Sequence, residues 1–239
     1  MATSVKCTKQ TYEEYWQGRS SSGDLDHNAR FPNEITEVVA PLLNKGIRVL
    51  DIGCGNGSLS KIAESKFQEV HGCDIALTAL QEARIRGMRT ICVDLNTIIP
   101  LPYQDESFDA ITCLEVLEHV LDPFNLLKDL HRVLRPKGQV LLTTPNIRYF
   151  RNLCKLIFEG KFPHTTTDSF VWGGGHVHYF TRKDLAFLLQ KAGFERIEFH
   201  LNQEQFTRSW KRRLIHGLTG KSIFGEWFCG GLIAEAFKK

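Results

Sequence analysis

The stretch Val49-Leu50-Asp51-Ile52-Gly53-Cys54-Gly55-Asn56-Gly57 decides the fold of this chain. It begins in a short apolar run that is typical of a buried strand, and three glycines follow at alternate positions. Glycine lets the backbone approach a ligand closely, and a helix predicted over 58–66 would offer unpaired N–H groups at its start. We therefore predict a nucleoside-binding loop. A dinucleotide site has the spacing GxGxxG, which would place its last glycine at position 58, where this chain has Ser58.

Two acidic residues follow the next two predicted strands. Asp74 ends the strand predicted over 69–73, and Asp94 ends the strand predicted over 89–93. A carboxylate about twenty residues beyond a glycine loop can accept both hydroxyls of a ribose, and the carboxyl ends of neighbouring parallel strands meet at one edge of a sheet. Asp94 could accept a hydrogen bond from an exocyclic amine. Together the three features predict a site for an adenosine-bearing ligand. The alternative is that both carboxylates only cap turns.

Strand-like and helix-like segments alternate along the chain. Strands are predicted over 47–52, 69–73, 89–93, 108–114, 139–144, 194–201 and 232–237. Helices are predicted near the N-terminus, over 33–43, 58–66 and 77–86, after Pro123 and after Thr181. Such alternation indicates βαβ units with right-handed crossovers and a mainly parallel sheet. Thr181 and Asp184 have the spacing of a capping box, with Asp in place of the usual Glu or Gln.

The composition is that of an ordinary globular protein. Of the 239 residues, 42% are hydrophobic and 24% are charged, and the formal net charge is +3. This charge does not indicate a nucleic-acid partner. No apolar run reaches the roughly 18 residues of a transmembrane segment, and the N-terminus lacks the apolar region of a secretion signal. The seven cysteines form no CxxC pair, so we expect reduced thiols and a cytoplasmic protein.

The glycine loop and the acidic positions resemble those of the class I S-adenosylmethionine-dependent methyltransferases. The matching motifs span roughly residues 45–145 and are Val49–Gly57, Cys73-Asp74-Ile75, Asp94-Leu95, Phe108–Glu115 and Leu134–Gln139. The resemblance implies an α/β, Rossmann-like methyltransferase fold, with a seven-stranded, mainly parallel sheet, helices on both faces and an antiparallel last strand. Within that class the chain is similar to the ubiquinone-biosynthesis O-methyltransferases and to MetW-like proteins.

The resemblance also implies S-adenosylmethionine as the cofactor and assigns roles to named residues. The loop of Gly53, Cys54, Gly55, Asn56 and Gly57, which Asp51 precedes in the same motif, would face the methionine part. Asp74 would hold the ribose, and Ile75 would flank the adenine. Asp94 and Leu95 would bind the edge of the base, and the backbone of Leu114 would lie near the amino group of the cofactor.

We predict one domain with four parts. Residues 1–45 would form an N-terminal helical cap and residues 46–144 the cofactor-binding core. Residues 145–180 would form an insertion or lid on the acceptor side, because long loops at the carboxyl ends of strands often close over substrates. Residues 181–239 would contain a helix, two late strands and a basic segment.

The residues after the fourth strand are the first candidates for catalysis. Glu115, Glu118 and His119 are three and four residues apart, so they would share one face of a helical turn. They could act as a base relay or bind a hard divalent ion such as Mg²⁺. The same ExxEH pattern occurs in the ubiquinone-type relatives, where it resembles a magnesium site. The alternative is that these residues only brace the turn. In the insertion, His176 and His178 could face the acceptor or belong to a structural flap.

The segment Arg208–His216 carries four basic residues together with Trp, Leu and Ile. It predicts either peripheral contact with a membrane or an anionic acceptor, or else an ordinary solvated helix.

Three functions are compatible with these patterns. The first is transfer of a methyl group to an oxygen of a small molecule, such as a quinol-like or sugar acceptor. The second is a non-catalytic partner protein that binds S-adenosylmethionine, of the MetW-like kind. The third is a dinucleotide oxidoreductase, which Ser58 and the missing GxGxxG spacing disfavour.

Overall fold

Seven strands form one sheet in the computed structural model of the chain, which describes residues 8–21, 38–163, 175–200 and 225–239. In chain order the strands are β1 (Gly46–Ile52), β2 (Phe67–Asp74), β3 (Arg89–Cys92), β4 (Phe108–Leu114), β5 (Leu134–Pro145), β6 (Phe194–His200) and β7 (Gly231–Lys238). Their order in the sheet is β3-β2-β1-β4-β5-β7-β6. β1 pairs in parallel with β2, and β2 with β3, whereas β6 and β7 are antiparallel. The predicted α/β class, with an antiparallel last strand, is confirmed.

Helices alternate with these strands. The described helices are α1 (Thr8–Ser21), α2 (Ser60–Glu64), α3 (Leu77–Ile85), α4 (Pro123–Val133), α5 (Phe150–Glu159) and α6 (Arg182–Lys191). Two short 3-10 helices cover Leu117–His119 and Gly225–Phe228. Within the described ranges, no helix combines the length and the apolar character that crossing a membrane would require.

The chain divides into two compact units. Unit 1 comprises Met1–Thr112 and Arg132–Gln139, and unit 2 comprises Cys113–His131 and Val140–Lys239. In unit 1, Val49, Leu50 and Ile52 of β1 are completely buried, as their apolar run predicts. In unit 2, Leu126, Leu127 and Leu130 of α4 are completely buried, so this helix packs through one apolar face. The division of a single domain into four parts stays a prediction.

The register of the first strands brings their carboxyl ends together in unit 1. Ile52 of β1 lies opposite Cys73 of β2, and Asp74 of β2 lies opposite Cys92 of β3. The glycine loop therefore begins beside the end of β2. This is the edge at which parallel α/β sheets bind ligands.

The ends of several elements differ from the predicted ones. β5 begins at Leu134 and not at Gln139, because Arg135 extends to an ion pair of 2.7 Å with Asp109. α2 covers Ser60–Glu64 and not 58–66, because the loop continues in a turn in which the N–H of Ser60 donates to the carbonyl of Gly57. Of the helix predicted over 33–43, residues 33–37 lie outside the described ranges.

In the insertion at 145–180, the described residues 145–163 and 175–180 include the helix α5. α5 ends at Gly160, which has a φ of 63° and adopts the left-handed conformation of a helix C-cap. α6 then begins with the predicted capping box, in which the Thr181 hydroxyl accepts from the N–H of Asp184 and the Asp184 side chain accepts from the N–H of Thr181. The role of the insertion as a lid stays a prediction.

Candidate active site

The loop after β1 follows a backbone path that requires glycine. Gly53, Gly55 and Gly57 have φ angles of 66°, 52° and 78°, in the left-handed region that other residues rarely adopt. At Gly57, a Cβ atom would lie 3.0 Å from the Cα atom of Ala83, so the glycine also allows α3 to pack against the loop. Between the glycines, Cys54 is buried and Asn56 is half-buried. The loop thus presents mainly backbone to a ligand.

The Asp74 carboxylate links this loop to the end of β2. Its Oδ2 atom accepts a hydrogen bond of 3.0 Å from the N–H of Gly55, and its Oδ1 atom accepts one of 2.9 Å from the N–H of Ala76. Burial raises the pKa of this carboxyl. The N–H of Ile75 also donates to this carboxylate. A carboxylate has about four lone-pair positions, so three donors leave it capacity for a further hydrogen bond. The role of Asp74 toward a ribose stays a prediction.

Asp51 lies beneath the loop in the core of unit 1. It is 5% exposed, and its Oδ1 atom accepts a hydrogen bond of 2.7 Å from the hydroxyl of Thr112. Burial, with a smaller contribution from the charge of Asp74, raises the pKa of Asp51 to about 7. The role of this residue toward the cofactor stays a prediction.

The residues after β3 form a turn that Asp94 caps. The Oδ1 atom of Asp94 accepts from the N–H of Asn96 at 2.9 Å, and its carbonyl accepts from the N–H of Ile98 at 2.8 Å. The turn-capping alternative thus describes part of what Asp94 does. The two other predicted adenine contacts, Ile75 and Leu95, are half-buried, which leaves part of each side chain accessible.

Two residues of α1 belong to this region and were missed by the sequence analysis. The Glu13 carboxylate accepts from the N–H groups of Leu77 and Thr78 and from the Thr78 hydroxyl, at 2.5, 3.2 and 2.8 Å. Burial alone would raise the pKa of Glu13, but these bonds outweigh it and lower the pKa. A Cβ atom on Gly55 would lie 2.8 Å from the Trp16 indole. α1 thus contacts both the glycine loop and the start of α3.

A second group of polar residues lies in unit 2 around Glu118. This side chain is 1% exposed, and neither carboxylate oxygen has a hydrogen-bond partner among the residues that the structure describes. Burial and the charge of Glu115 raise the pKa of Glu118 well above its usual value. A buried carboxyl group without partners is costly unless it is neutral or binds something. Glu118 is therefore the residue of unit 2 that most requires a functional explanation.

Two imidazoles surround this carboxyl group. The Nε2 atom of His176 lies 3.9 Å from Oε1 of Glu118, and the rings of His119 and His176 meet edge to face at 4.6 Å. The Nδ1 atom of His119 lies 3.2 Å from the carbonyl of Gly175. Because a carbonyl only accepts, Nδ1 donates and the neutral ring carries its lone pair on Nε2. Burial lowers the pKa of His119, and burial together with His119 lowers that of His176 to about 4.

The remaining predicted residues of unit 2 lie around this cluster. Glu115 has a φ of 55°, and its N–H donates to the Thr143 hydroxyl at 3.0 Å. Burial raises the pKa of Glu115 to about 7. His178 places Nε2 3.3 Å from the carbonyl of Leu121, and Leu114 is half-buried. Glu115 precedes the 3-10 helix and does not share a helical turn with Glu118 and His119.

The cluster can do two kinds of chemistry. Ligand atoms of Glu118, His119 and His176 lie within 4.8 Å of one another, a spacing that fits a divalent ion. Neutral imidazoles beside a carboxyl group can also accept and pass on a proton. A structural role accompanies both, because the carbonyl of Glu118 accepts from the N–H groups of Val177 and His178 at 2.9 and 3.0 Å. The segment that supplies His176 is thereby held against the 3-10 helix.

Comparison with known proteins adds the family context. A family model described as a methyltransferase domain matches residues 25–198. The ubiquinone biosynthesis O-methyltransferase of Pseudomonas aeruginosa is 40% identical over 105 residues, which are 42% of this chain and 45% of that protein. The similarity therefore spans less than half the length of this curated relative.

Two solved structures have the same fold at lower sequence identity. A methyltransferase of Thermotoga maritima that depends on S-adenosylmethionine has a TM-score of 0.65 at 21% identity, and the match covers 96% of this chain and 99% of that one. Phosphoethanolamine N-methyltransferase 2 of Haemonchus contortus, in complex with S-adenosyl-L-methionine, has a TM-score of 0.59 at 20% identity, and the match covers 87% and 52%. At these identities the likeness concerns the fold.

Proposed function

The chain belongs to the methyltransferase-domain family, and we propose that it transfers a methyl group from S-adenosylmethionine to an oxygen of a small-molecule acceptor. The observation that carries the proposal is the Asp74 carboxylate, which is hydrogen-bonded to the glycine loop and retains capacity for a further hydrogen bond. The relative from Pseudomonas aeruginosa, named as an O-methyltransferase of ubiquinone biosynthesis, supports oxygen as the methylated atom and a quinol-like acceptor. A sugar hydroxyl is the other acceptor of this chemistry.

Cofactor binding is assigned to the residues of the predicted motifs. Asp74 would bind the ribose, Ile75 would flank the adenine, and Asp94 with Leu95 would bind its edge. Backbone of the glycine loop would contact the methionine part, and the Leu114 backbone its amino group. When bound, S-adenosylmethionine supplies an electrophilic methyl group on a positively charged sulfur.

Proton removal from the acceptor is assigned to the cluster of unit 2. An acceptor hydroxyl becomes a better nucleophile when a base takes its proton, and imidazole is the side chain suited to this near neutral pH. The lowered pKa values of His119 and His176 leave both rings neutral and able to accept a proton. We assign His119 as the base through Nε2, and His176 with Glu118 as the groups that pass the proton on. His178 would contact the acceptor from the same segment.

A metal ion is the competing role for the cluster. The oxygens of Glu118, for which the described residues supply no hydrogen-bond donor, and the imidazoles of His119 and His176 would suit a divalent cation. The resemblance of the ExxEH pattern implies Mg²⁺ as that cation. In this alternative His176 would be a ligand together with Glu118 and His119 of the ExxEH pattern. Glu115 would supply a further carboxylate from its position before the 3-10 helix. The ion would replace the base by stabilising the ionised acceptor oxygen.

Cellular location is also a proposal. The cysteines in the described ranges are free thiols, which suits a reducing cytoplasm. The basic segment Arg208–His216, which we propose for peripheral contact with a membrane or an anionic acceptor, lies outside the described residues.

The test is a transfer assay with radiolabelled methyl groups on S-adenosylmethionine and a panel of catechol, quinol and sugar acceptors. We expect turnover with a hydroxylated aromatic acceptor. His119→Ala should lower kcat by about 10²- to 10⁴-fold, whereas His131→Gln, a half-buried histidine that packs on Phe194 in the same unit, should not. If a chelator abolishes turnover and Mg²⁺ restores it, the cluster has the metal-binding role and not the role of a base. Cofactor binding without turnover on any acceptor would favour the non-catalytic partner protein.

A further inference from the structure

Helix α5 exposes a stripe of apolar side chains. Phe150, Cys154, Ile157 and Phe158 lie at offsets of four, seven and eight residues, so they occupy one face of the helix. Phe150, Ile157 and Phe158 are 39%, 70% and 81% exposed, and Cys154 is exposed as well. Contiguous exposed apolar surface of this kind marks a binding surface more often than scattered single residues do. We call these four residues the α5 stripe.

The first turn of α5 attaches the helix to unit 2. Asn152 is the buried residue of the helix, and its Nδ2 atom donates a hydrogen bond of 3.1 Å to the carbonyl of Asn146. Its backbone N–H donates to the carbonyl of Tyr149 at 2.8 Å. The helix is thereby anchored at its start, on the side opposite the α5 stripe.

Basic side chains border the stripe. Arg151 and Lys155 are exposed and stand next to Phe158 around the helix. Lys161, just beyond the helix end, has a side chain that is 77% exposed and forms an ion pair of 3.9 Å with Glu159. Residues 150–162 contain three basic residues and one acidic residue. The surface is therefore apolar along its centre, and Arg151 and Lys155 give it a positively charged edge beside Phe158.

We propose that α5 docks on an anionic phospholipid bilayer, with the α5 stripe inserted at the level of the upper acyl chains and Arg151 and Lys155 on lipid phosphates. An apolar stripe with a basic border is the pattern of helices that lie in the membrane interface. Pairing with a second copy of this chain through the same face would bring the basic borders together. Docking on lipid does not depend on which acceptor is methylated.

The test is flotation of the full chain with vesicles of phosphatidylcholine, with or without phosphatidylglycerol. We expect binding that requires phosphatidylglycerol and that Ile157→Glu with Phe158→Glu weakens by more than about tenfold. Removal of Arg151 or Lys155 by substitution with Gln should weaken binding by roughly fivefold each. Ile85→Glu is the matched control, because Ile85 is 86% exposed, lies between two arginines and belongs to α3. It should bind as the unmodified protein does.

A second measurement locates the contact on the helix. An environment-sensitive fluorophore on Cys154, with Cys7→Ser and Cys92→Ser, should shift to shorter wavelength when the anionic vesicles are added. The same fluorophore on the exposed Cys92, with Cys7→Ser and Cys154→Ser, should not shift.

Two outcomes would overturn the docking proposal. One is equal flotation of the doubly substituted and unmodified proteins. The other is a dimer in sedimentation equilibrium that Ile157→Glu with Phe158→Glu dissociates, which would make the α5 stripe a self-association surface. Far-UV circular dichroism and thermal unfolding show that each variant is folded. Calorimetric titration with S-adenosylhomocysteine tests the proposed cofactor site, to which none of the substituted residues of α5 is assigned, so it separates a failure of docking from a failure of the proposed methyl transfer.

Discussion

Asp74 is the residue on which the cofactor assignment most depends. Asp74→Ala removes the acceptor of the Gly55 and Ala76 N–H groups together with the proposed acceptor of the ribose. Hydrogen bonds to a charged group contribute about 1.5–3 kcal/mol, so the dissociation constant for S-adenosylhomocysteine should rise by roughly 10- to 100-fold. Calorimetric titration measures this. Asp105→Ala, which removes a largely exposed carboxylate of the same unit, should leave the constant unchanged, and equal affinities of both variants would contradict the assignment.

Asp51 makes the stability of the chain depend on pH. Its pKa is raised from 3.8 to about 7, so between these values the unfolded chain has lost a proton that the folded chain retains. The free energy of unfolding therefore falls as pH rises through this window. Asp51→Asn removes the effect, and its amide oxygen can still accept from Thr112.

We expect Asp51→Asn to be more stable than the unmodified chain at about pH 8, by at most about 4 kcal/mol, and to lose this advantage at about pH 4. Urea unfolding at the two pH values measures the difference. Asp105→Asn serves as the exposed control and should show no such dependence. A gain that is the same at both pH values would exclude the raised pKa as its cause.

The part of the site that could be predicted from the sequence consists of residues that lie close together along the chain. The glycines and Asp74 follow directly from strand ends, where local pattern determines position. His176 reaches Glu118 from a segment more than fifty residues later, and the Trp16 indole reaches Gly55 from another helix. No periodicity within one segment encodes such contacts. The carboxylates of the ExxEH pattern were placed on one helical turn, but the positive φ of Glu115 separates it from the other two.

At the scale of elements, the Glu13 side chain connects α1 to α3. The Glu13 carboxylate accepts hydrogen bonds from the N–H groups of Leu77 and Thr78, at the start of α3. An N-cap residue satisfies the same groups from the position before a helix, whereas Glu13 does so from α1. Glu13→Ala should cost about 1 kcal/mol, and the amide hydrogens of Leu77 and Thr78 should exchange faster with solvent. Hydrogen-exchange mass spectrometry of α3 detects the change.

Gln10→Ala is the matched control for this prediction. Gln10 lies three residues before Glu13 in α1, is exposed, and its side chain donates to Glu14 within the same helix, so its loss should leave the exchange of α3 unchanged. Equal acceleration by both substitutions would mean that α1 acts through its general packing and not through the Glu13 carboxylate.

Element types were more predictable than element ends. The apolar run of a strand such as β4 was predictable because most of its residues are buried in the sheet. Strands β3 and β6 are largely exposed or half-buried, and their prediction depended on short runs of residues between turn signals. The ends depend on single contacts, such as the ion pair between Arg135 and Asp109 at the start of β5. The N-terminal helix was predicted, but the contacts of Glu13 and Trp16 with other elements were not. The local sequence around these two residues is that of an ordinary solvated helix.

For the whole molecule, the pattern of apolar and polar residues predicts the topology, whereas the function depends on the chemistry of individual side chains. Alternating strands and helices predict a mainly parallel sheet, whereas the antiparallel last strand came from family resemblance and is seen in the pairing of β6 with β7. The same fold supports many reactions. The central claim therefore rests on the ligand that the glycine loop and Asp74 select.

The most direct measurement is parallel calorimetric titration of the unmodified chain with S-adenosylmethionine and with NAD. The account predicts binding of one S-adenosylmethionine per chain and none of NAD, because the loop has the spacing GxGxG and position 58 is serine. Binding of NAD without binding of S-adenosylmethionine would contradict it.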